Sequence, residues 1–411
     1  MRNKQLGPLL LSGLMIGPIL GSGIIIIPPL VYQVTGDWAF LAWLLIIGIS
    51  FFFATIFARL SILFPGKAGV ANAIEHAFGK RIKLVSSFYL TGAVLFGPVA
   101  VLLTAAQYLQ SGSALPPALL ALLPLIICTG MLLLQVTSIG RISLCISSIV
   151  AVILFAGATS ILLFHHKSGV HLPPFSGPDF GYGLLLLFWT VVGWEVVGNY
   201  SGDVRDPEKT IPRAVTFSVS IMALVSLTVA GAVQMIANDR IAEKTVTITD
   251  IIQPVFGAAS DIIMALLVTS LCVTSYLLFT GGVARLIASL AETQNLPTFF
   301  AAQSKKGAPA AAILFLASVH LLVLIAVYFK LADIEQLVAL ADGFFIANAL
   351  TGILSAVKLL DSLVLKTAAV MLAFIFSGIL LQAALPVIGI IICLALFFFV
   401  RYPGEQQEES R

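Results

Sequence analysis

Of 411 residues, 59% are hydrophobic and only 10% charged, and the mean hydropathy is +1.08. A soluble globular chain with a solvated surface does not carry that balance, so water is not its main solvent and no room is left for a separate soluble domain. The net charge of +3 is small and scattered, which gives a nucleic-acid partner nothing to bind.

Taken in chain order, the apolar runs predict an all-α membrane protein of about twelve transmembrane helices. They lie near 8–32, 38–63, 84–110, 115–136, 142–164, 181–201, 211–237, 260–290, 308–329, 334–357, 367–383 and 385–401. A bilayer crossing needs roughly 20 apolar residues. An even number of crossings puts both termini on one face. With that face cytoplasmic, 18 of the 22 Lys and Arg fall inside, and only Lys167, Arg240, Lys244 and Lys330 fall outside. The positive-inside rule requires this asymmetry. The expectation is therefore a multi-pass protein of the inner, cytoplasmic membrane with both termini cytoplasmic. Arg2 and Lys4 precede an apolar run without a small-residue cleavage site, so that run reads as the first helix and not as a signal peptide. Cys128, Cys145, Cys272 and Cys393 sit inside apolar runs without CxxC spacing and read as small core residues, with no disulfide or metal site.

Two of these runs are interrupted. The first carries Gly17-Pro18, then Gly21-Ser22-Gly23, then Pro28-Pro29. Each glycine weakens a helix by roughly 1 kcal/mol relative to alanine, and irregular backbone at membrane depth survives only against a cavity or inside protein. Free N–H groups at the positive end of the following half-helix suit a carboxylate; close packing of small residues is the other reading of Gly-Ser-Gly. The sixth run, Phe188 to Asn199, sets Gly193, Glu195 and Gly198 in the middle of a hydrophobic segment. A carboxylate at the helix centre costs about 2.5–3.5 kcal/mol on insertion scales, so Glu195 must face a partner or a cavity. Paired interruptions in corresponding helices of two halves point to the site of an inverted-repeat transporter.

These residues resemble the amino acid–polyamine–organocation superfamily of transporters. The resemblance rests on Gly21-Ser22-Gly23-Ile24, on Trp189 to Glu195, and on the loop Val204-Arg205-Asp206-Pro207-Glu208-Lys209-Thr210-Ile211-Pro212-Arg213-Ala214. Phe64 to Val70 with Phe78-Gly79, and Arg285 through Asn295-Leu296-Pro297, extend it. Short length and overall pattern are most similar to bacterial neutral amino-acid efflux permeases. The resemblance implies a five-plus-five inverted repeat, with repeats near 8–164 and 181–357, two extra helices near 367–401, and a short cytoplasmic tail at 402–411. Discontinuous helices one and six would flank a central site. There Ser22, Gly23 and Ile24 would offer amides to a substrate carboxylate, and Trp189, Val192 and Gly193 carbonyls to its ammonium. Glu195 matches a glutamate that in some relatives binds substrate or gates with a proton; Trp189 and Tyr276 match aromatic gates.

Some relatives carry a lysine inside helix five in place of a sodium ion, but Ser143 to Phe164 holds no charge. Ser270, Thr274 and Ser275 could offer hydroxyls to sodium, or bond carbonyls of their own helix. A proton is preferred as the coupling ion, and no cofactor is expected. Asp342, in helix ten, reads as a gate or proton site by the same cost argument as Glu195. His320 reads as a packing residue, Arg285 as snorkelling or as tying helix eight to the loop after helix two, and His165, His166 and His171 as a solvated outer loop. Leu95, Phe96 and Val99 add aliphatic and aromatic surface. The expected substrate is a neutral, apolar amino acid of the methionine or branched-chain type, carried by a monomer or homodimer by alternating access, proton-coupled or by exchange; the residues leave the direction open, and the resemblance to efflux permeases favours export. Uptake permease, cationic amino-acid exchanger and amino-acid sensor are the alternatives.

Overall fold

The computed structural model describes residues 6–21, 23–110, 114–164, 174–239, 246–381 and 385–401, without the side chains of Asn238 and Asp239. Ser22, the histidines at 165, 166 and 171, and the tail at 402–411 lie outside the described residues. Among those described every regular element is a helix, and an isolated parallel bridge pairs Leu6 with Val204.

The expected first span is two helices, α1 (Pro8–Leu20) and α2 (Gly23–Thr35), followed by α3 (Ala39–Leu63). A short α4 (Val70–Phe78) lies in the loop after the second span, between Gly69 and Gly79, both at positive φ. Then come α5 (Lys80–Leu109), α6 (Pro117–Leu120), α7 (Leu122–Leu132) and α8 (Val136–Phe164). The predicted span at 115–136 is thus divided at Ala121, and the helix expected to begin near 142 begins at Val136.

The sixth span comprises α9 (Gly177–Leu187) and the single turn α10 (Trp194–Val197), followed by α11 (Pro207–Asp239). A helix that hydropathy alone did not predict, α12 (Ile248–Phe256), precedes α13 (Ser260–Glu292). Its nine residues are too few to cross a membrane. Ile248, Ile251 and Ile252 are buried at helical spacing, and Thr247 and Asp250 close a capping box at its start. The chain ends with α14 (Ala310–Tyr328), α15 (Ile334–Leu359), α16 (Leu363–Leu380) and α17 (Leu385–Arg401).

Among the described residues, nine helical stretches are long and apolar enough to cross a membrane. The first of these, Pro8–Leu63, is 56 residues long, and two shorter apolar helices run over Pro117–Leu132 and Leu385–Arg401. Large apolar side chains face outward, such as Leu363, Phe374 and Val400, as a chain solvated by lipid requires.

At the centre, α1 packs against α8, α11 and α13, while α5 packs against α13 and α15. Small residues set these approaches. A Cβ on Gly157 of α8 would lie 3.0 Å from the Ile251 carbonyl of α12, and one on Gly352 of α15 would overlap the Phe57 ring of α3. Polar side chains bridge the same helices: Ser86 donates to Asn348 at 2.9 Å, and Tyr89 to the Ile391 carbonyl at 2.9 Å. Gly157→Leu should therefore pry α12 from α8. Gly130 has nothing within 4 Å of its Cβ position and serves as the control. Overpacking of this kind costs about 1–3 kcal/mol, so thermal unfolding in detergent should fall by several degrees for Gly157→Leu and stay put for Gly130→Leu. Equal melting temperatures for the two variants would contradict the packing described.

Candidate functional site

The first break lies where α1 runs out. Pro18 has no N–H for the Leu14 carbonyl, and the N–H of Gly21 closes on the Gly17 carbonyl at 2.7 Å. Gly21 then turns to φ 50° and ψ −167°, a region that favours glycine. The helix restarts at Gly23, so the N–H groups of Gly23, Ile24 and Ile25 have no carbonyl within α2 to bond.

The second break is longer. After Leu187 the chain tightens into a 3-10 turn over Phe188–Thr190, swings through Gly193 at φ 124°, and resumes as α10. Glu195, only 2% exposed, reaches back so that the Gly193 N–H donates to its Oε2 at 3.0 Å. Its Oε1 is buried without a partner among the described residues. The Gly193 carbonyl accepts from the Val196 N–H at 3.2 Å. Of the three carbonyls expected to face a ligand, Gly193's is thus already engaged within the chain.

The two breaks meet. A Cβ on Gly23 would stand 3.2 Å from Trp189 Cδ1 and 3.5 Å from Thr190 Cγ2. One on Gly193 would stand 3.4 Å from Phe279 Cζ and 4.0 Å from Ile19 Cγ1. Gly23 therefore stands beside Trp189, and Gly193 beside Phe279 and Ile19; Trp189 and Val192 keep partial exposure while Val191, Gly193 and Glu195 are buried.

Tyr276 is engaged with a different helix. It is fully buried, with its hydroxyl 2.9 Å from His320 Nδ1, and His320 Nε2 lies 2.8 Å from the Val94 carbonyl. This chain ties α13 to α14 and α5, so His320 packs as expected and Tyr276 packs with it. The aromatic residue of α13 that reaches the breaks is Phe279, three residues on. The sequence signal for Phe279 is the helical spacing from Phe279 to Gly282, which packs against Val196 and Tyr200 of the sixth span. Phe279 in turn meets Phe345 of α15 with ring centroids 5.2 Å apart. Asp342 precedes Phe345 by three residues on the same helix, its Oδ1 buried without a partner among the described residues.

The hydroxyls around α1 have bonds of their own. Thr274 donates to the Leu271 carbonyl at 2.8 Å and Ser147 to the Gly13 carbonyl at 3.3 Å, and both stand against Gly17, where a Cβ would overlap them.

The C-terminal end of the sixth span is clamped. Arg285 Nε donates to Asp203 Oδ2 at 2.9 Å and Nη1 to the Gly281 carbonyl at 2.8 Å, with the guanidinium 4.3 Å from the Tyr200 ring centroid. The Tyr200 hydroxyl bonds to the carbonyls of Leu277 and Leu278, and Asn199 Nδ2 to that of Gly282 at 3.2 Å. Arg285 thus ties α13 to the end of the sixth span. The tie to the loop after α3 is made by the Lys67–Glu292 ion pair. Gly66 and Ser201 exchange two hydrogen bonds, and the Leu6 N–H donates to the Asp203 carbonyl at 3.0 Å.

A model of the amino acid permease family matches residues 6–409. The chain belongs to the amino acid permease family. An uncharacterised amino acid permease of Bacillus subtilis, YecA, is 24% identical over 346 residues, covering 82% of this chain and 80% of that protein. The L-methionine/branched-chain amino acid exporter YjeH of Escherichia coli is 25% identical over 348 residues, covering 82% of this chain and 81% of its own length. The polyamine transporter PUT1 of rice, Oryza sativa subsp. japonica, is 27% identical over 300 residues, covering 64% of this chain and 51% of that protein. Among solved structures, MhsT in complex with L-phenylalanine superposes with a TM-score of 0.59 at 15% identity, over 94% of this chain and 98% of that one, which shows a shared fold. The permease is accordingly a multi-pass membrane transporter and not an enzyme.

Glu195 carries a structural duty that can be separated from its charge. Glu195→Gln keeps an oxygen for the Gly193 N–H, whereas Glu195→Ala strands that buried donor at a cost of about 1–3 kcal/mol. Melting in detergent should rank Gln close to wild type and Ala clearly below. Equal losses for Gln and Ala would remove the hydrogen bond from the account.

Proposed function

We propose that the permease moves a neutral, apolar amino acid of the methionine or branched-chain type by alternating access, with export or exchange as its working direction and a proton as the coupling ion. The observation that carries this reading is the meeting of the two breaks. Gly23 and Ile24 begin a half-helix whose first N–H groups have no carbonyl within it, Trp189 lies against Gly23, and Glu195 keeps one oxygen unpartnered among the described residues. A substrate carboxylate fits the first group. Its ammonium fits the carbonyls of Trp189 and Val192, while Ile24, Val192 and Phe279 offer its side chain an apolar wall.

Export draws support from the methionine and branched-chain exporter among the relatives. A cationic substrate is the second reading, favoured by the unpartnered Glu195 oxygen and by the polyamine transporter among the relatives. In the proposed topology the chain crosses twelve times with both termini cytoplasmic, as its Lys and Arg asymmetry favours. Glu195 and Asp342 are the proposed proton-handling groups.

Counterflow in proteoliposomes separates these readings. Labelled methionine and leucine should exchange, an inward proton gradient should change the rate, a sodium gradient should not, and Glu195→Gln should lose the response to pH. Movement of arginine alone, or an unaltered pH response in Glu195→Gln, would overturn the proposal.

A further inference from the structure

Beyond the clamp at the C-terminal end of the sixth span lies a pocket of about 220 Å³ that the transport path described above does not use. Its polar lining is Lys67, Gln135, Asp203, Arg285, Gln303 and Lys306. Three of these side chains are cationic and one is a carboxylate.

The charges are unevenly answered. Lys67 is paired with Glu292, and Arg285 with Asp203. Lys306 has no carboxylate within ion-pair distance among the described residues. Arg285 is only 7% exposed, and of its five N–H donors one is given to Asp203 and one to the Gly281 carbonyl. Its other N–H groups have no hydrogen-bond partner among the described residues.

The N-terminus of α8, a helix of 29 residues, forms another part of the same wall through Leu134, Gln135 and Val136. The Gln135 carbonyl accepts from Ser138 and Ile139, so the N–H groups of Val136 and Thr137 in that first turn have no carbonyl within the helix. A helix N-terminus facing spare guanidinium and ammonium donors is an arrangement for binding an oxyanion. The volume suits a small one.

We propose that this pocket is a second binding station for a small oxyanion, the carboxylate of an amino acid entering or leaving at the inner end of the permease. The carboxylate sits between Arg285, Lys306 and the start of α8, next to the Arg285–Asp203 pair that clamps the sixth span. The identity of the anion rests on the amino-acid reading above; oxyanion binding does not.

The test is equilibrium dialysis of the full chain in detergent against labelled inorganic phosphate, with leucine and acetate as competitors. Gly23→Val fills the space before Trp189 and closes the central site, so phosphate should still bind this variant and leucine should still displace it. Lys306→Glu, at an exposed position, should weaken phosphate binding at least tenfold, and Lys306→Gln by less. Phosphate that does not bind, or binds equally to wild type and Lys306→Glu, overturns the site. Phosphate that binds but is not displaced by leucine or acetate overturns the carboxylate assignment. Displacement by leucine in a protein that shows no amino-acid counterflow leaves the pocket standing and removes the transport reading.

Discussion

Backbone N–H and C=O groups at the middle of a membrane have no water to bond, and wherever this chain interrupts a helix the loose groups must be answered from inside the protein. The permease does so by setting its two interruptions against each other. Gly23 has no side chain, which lets Trp189 approach the start of α2; Gly193 has none either, which leaves room for Phe279. The carboxylate of Glu195 takes the stranded N–H of Gly193. Among the described residues, the first-turn N–H groups of α2 have no carbonyl within their helix and one oxygen of Glu195 has no partner. In the proposed function, a ligand with a negative end and a positive one matches this remainder.

The same logic explains how the broken sixth span keeps its place. A single turn of α-helix, Trp194–Val197, has almost no stability of its own. It is held from outside, by Trp194 Nε1 on the Ser50 hydroxyl at 3.0 Å, by Tyr200 and Asn199 on carbonyls of α13, and by Asp203 on Arg285. These contacts reach α3 and α13 separately. The Arg285–Asp203 pair and the Lys67–Glu292 pair close this end of the span, while the Tyr276–His320–Val94 chain ties α13 to α14 and α5.

Much of this was legible in the residues. Glycine flanking serine in one apolar run and glycine before glutamate in another mark the two breaks, because both patterns oppose helix propensity at membrane depth. Glu195 announces itself by the cost of its charge. The different settings of Tyr276 and Phe279 have a physical origin. Spacing along a helix places a residue on a face only if the neighbours of that face are known, and a buried tyrosine needs a hydrogen-bond partner, which here is His320 on a different helix. Phe279 makes no such demand and packs against Gly193. The nine-residue α12 was missed because hydropathy looks for crossings and this helix lies along α8 with one apolar face. The clamp at Arg285 was half legible: a basic residue near a helix end demands a partner, but only the fold brings Asp203 to it.

The central claim is that the two breaks form one site, and a double-mutant cycle on methionine binding tests it most directly. Gly23→Ala places a methyl against Trp189, and Trp189→Ala removes the ring that this methyl meets. For a single site, the two changes in binding free energy should fail to add by about 1 kcal/mol or more, with Trp189→Ala relieving part of the damage done by Gly23→Ala. Strict additivity, with each substitution acting as if the other residue were elsewhere, would contradict the account.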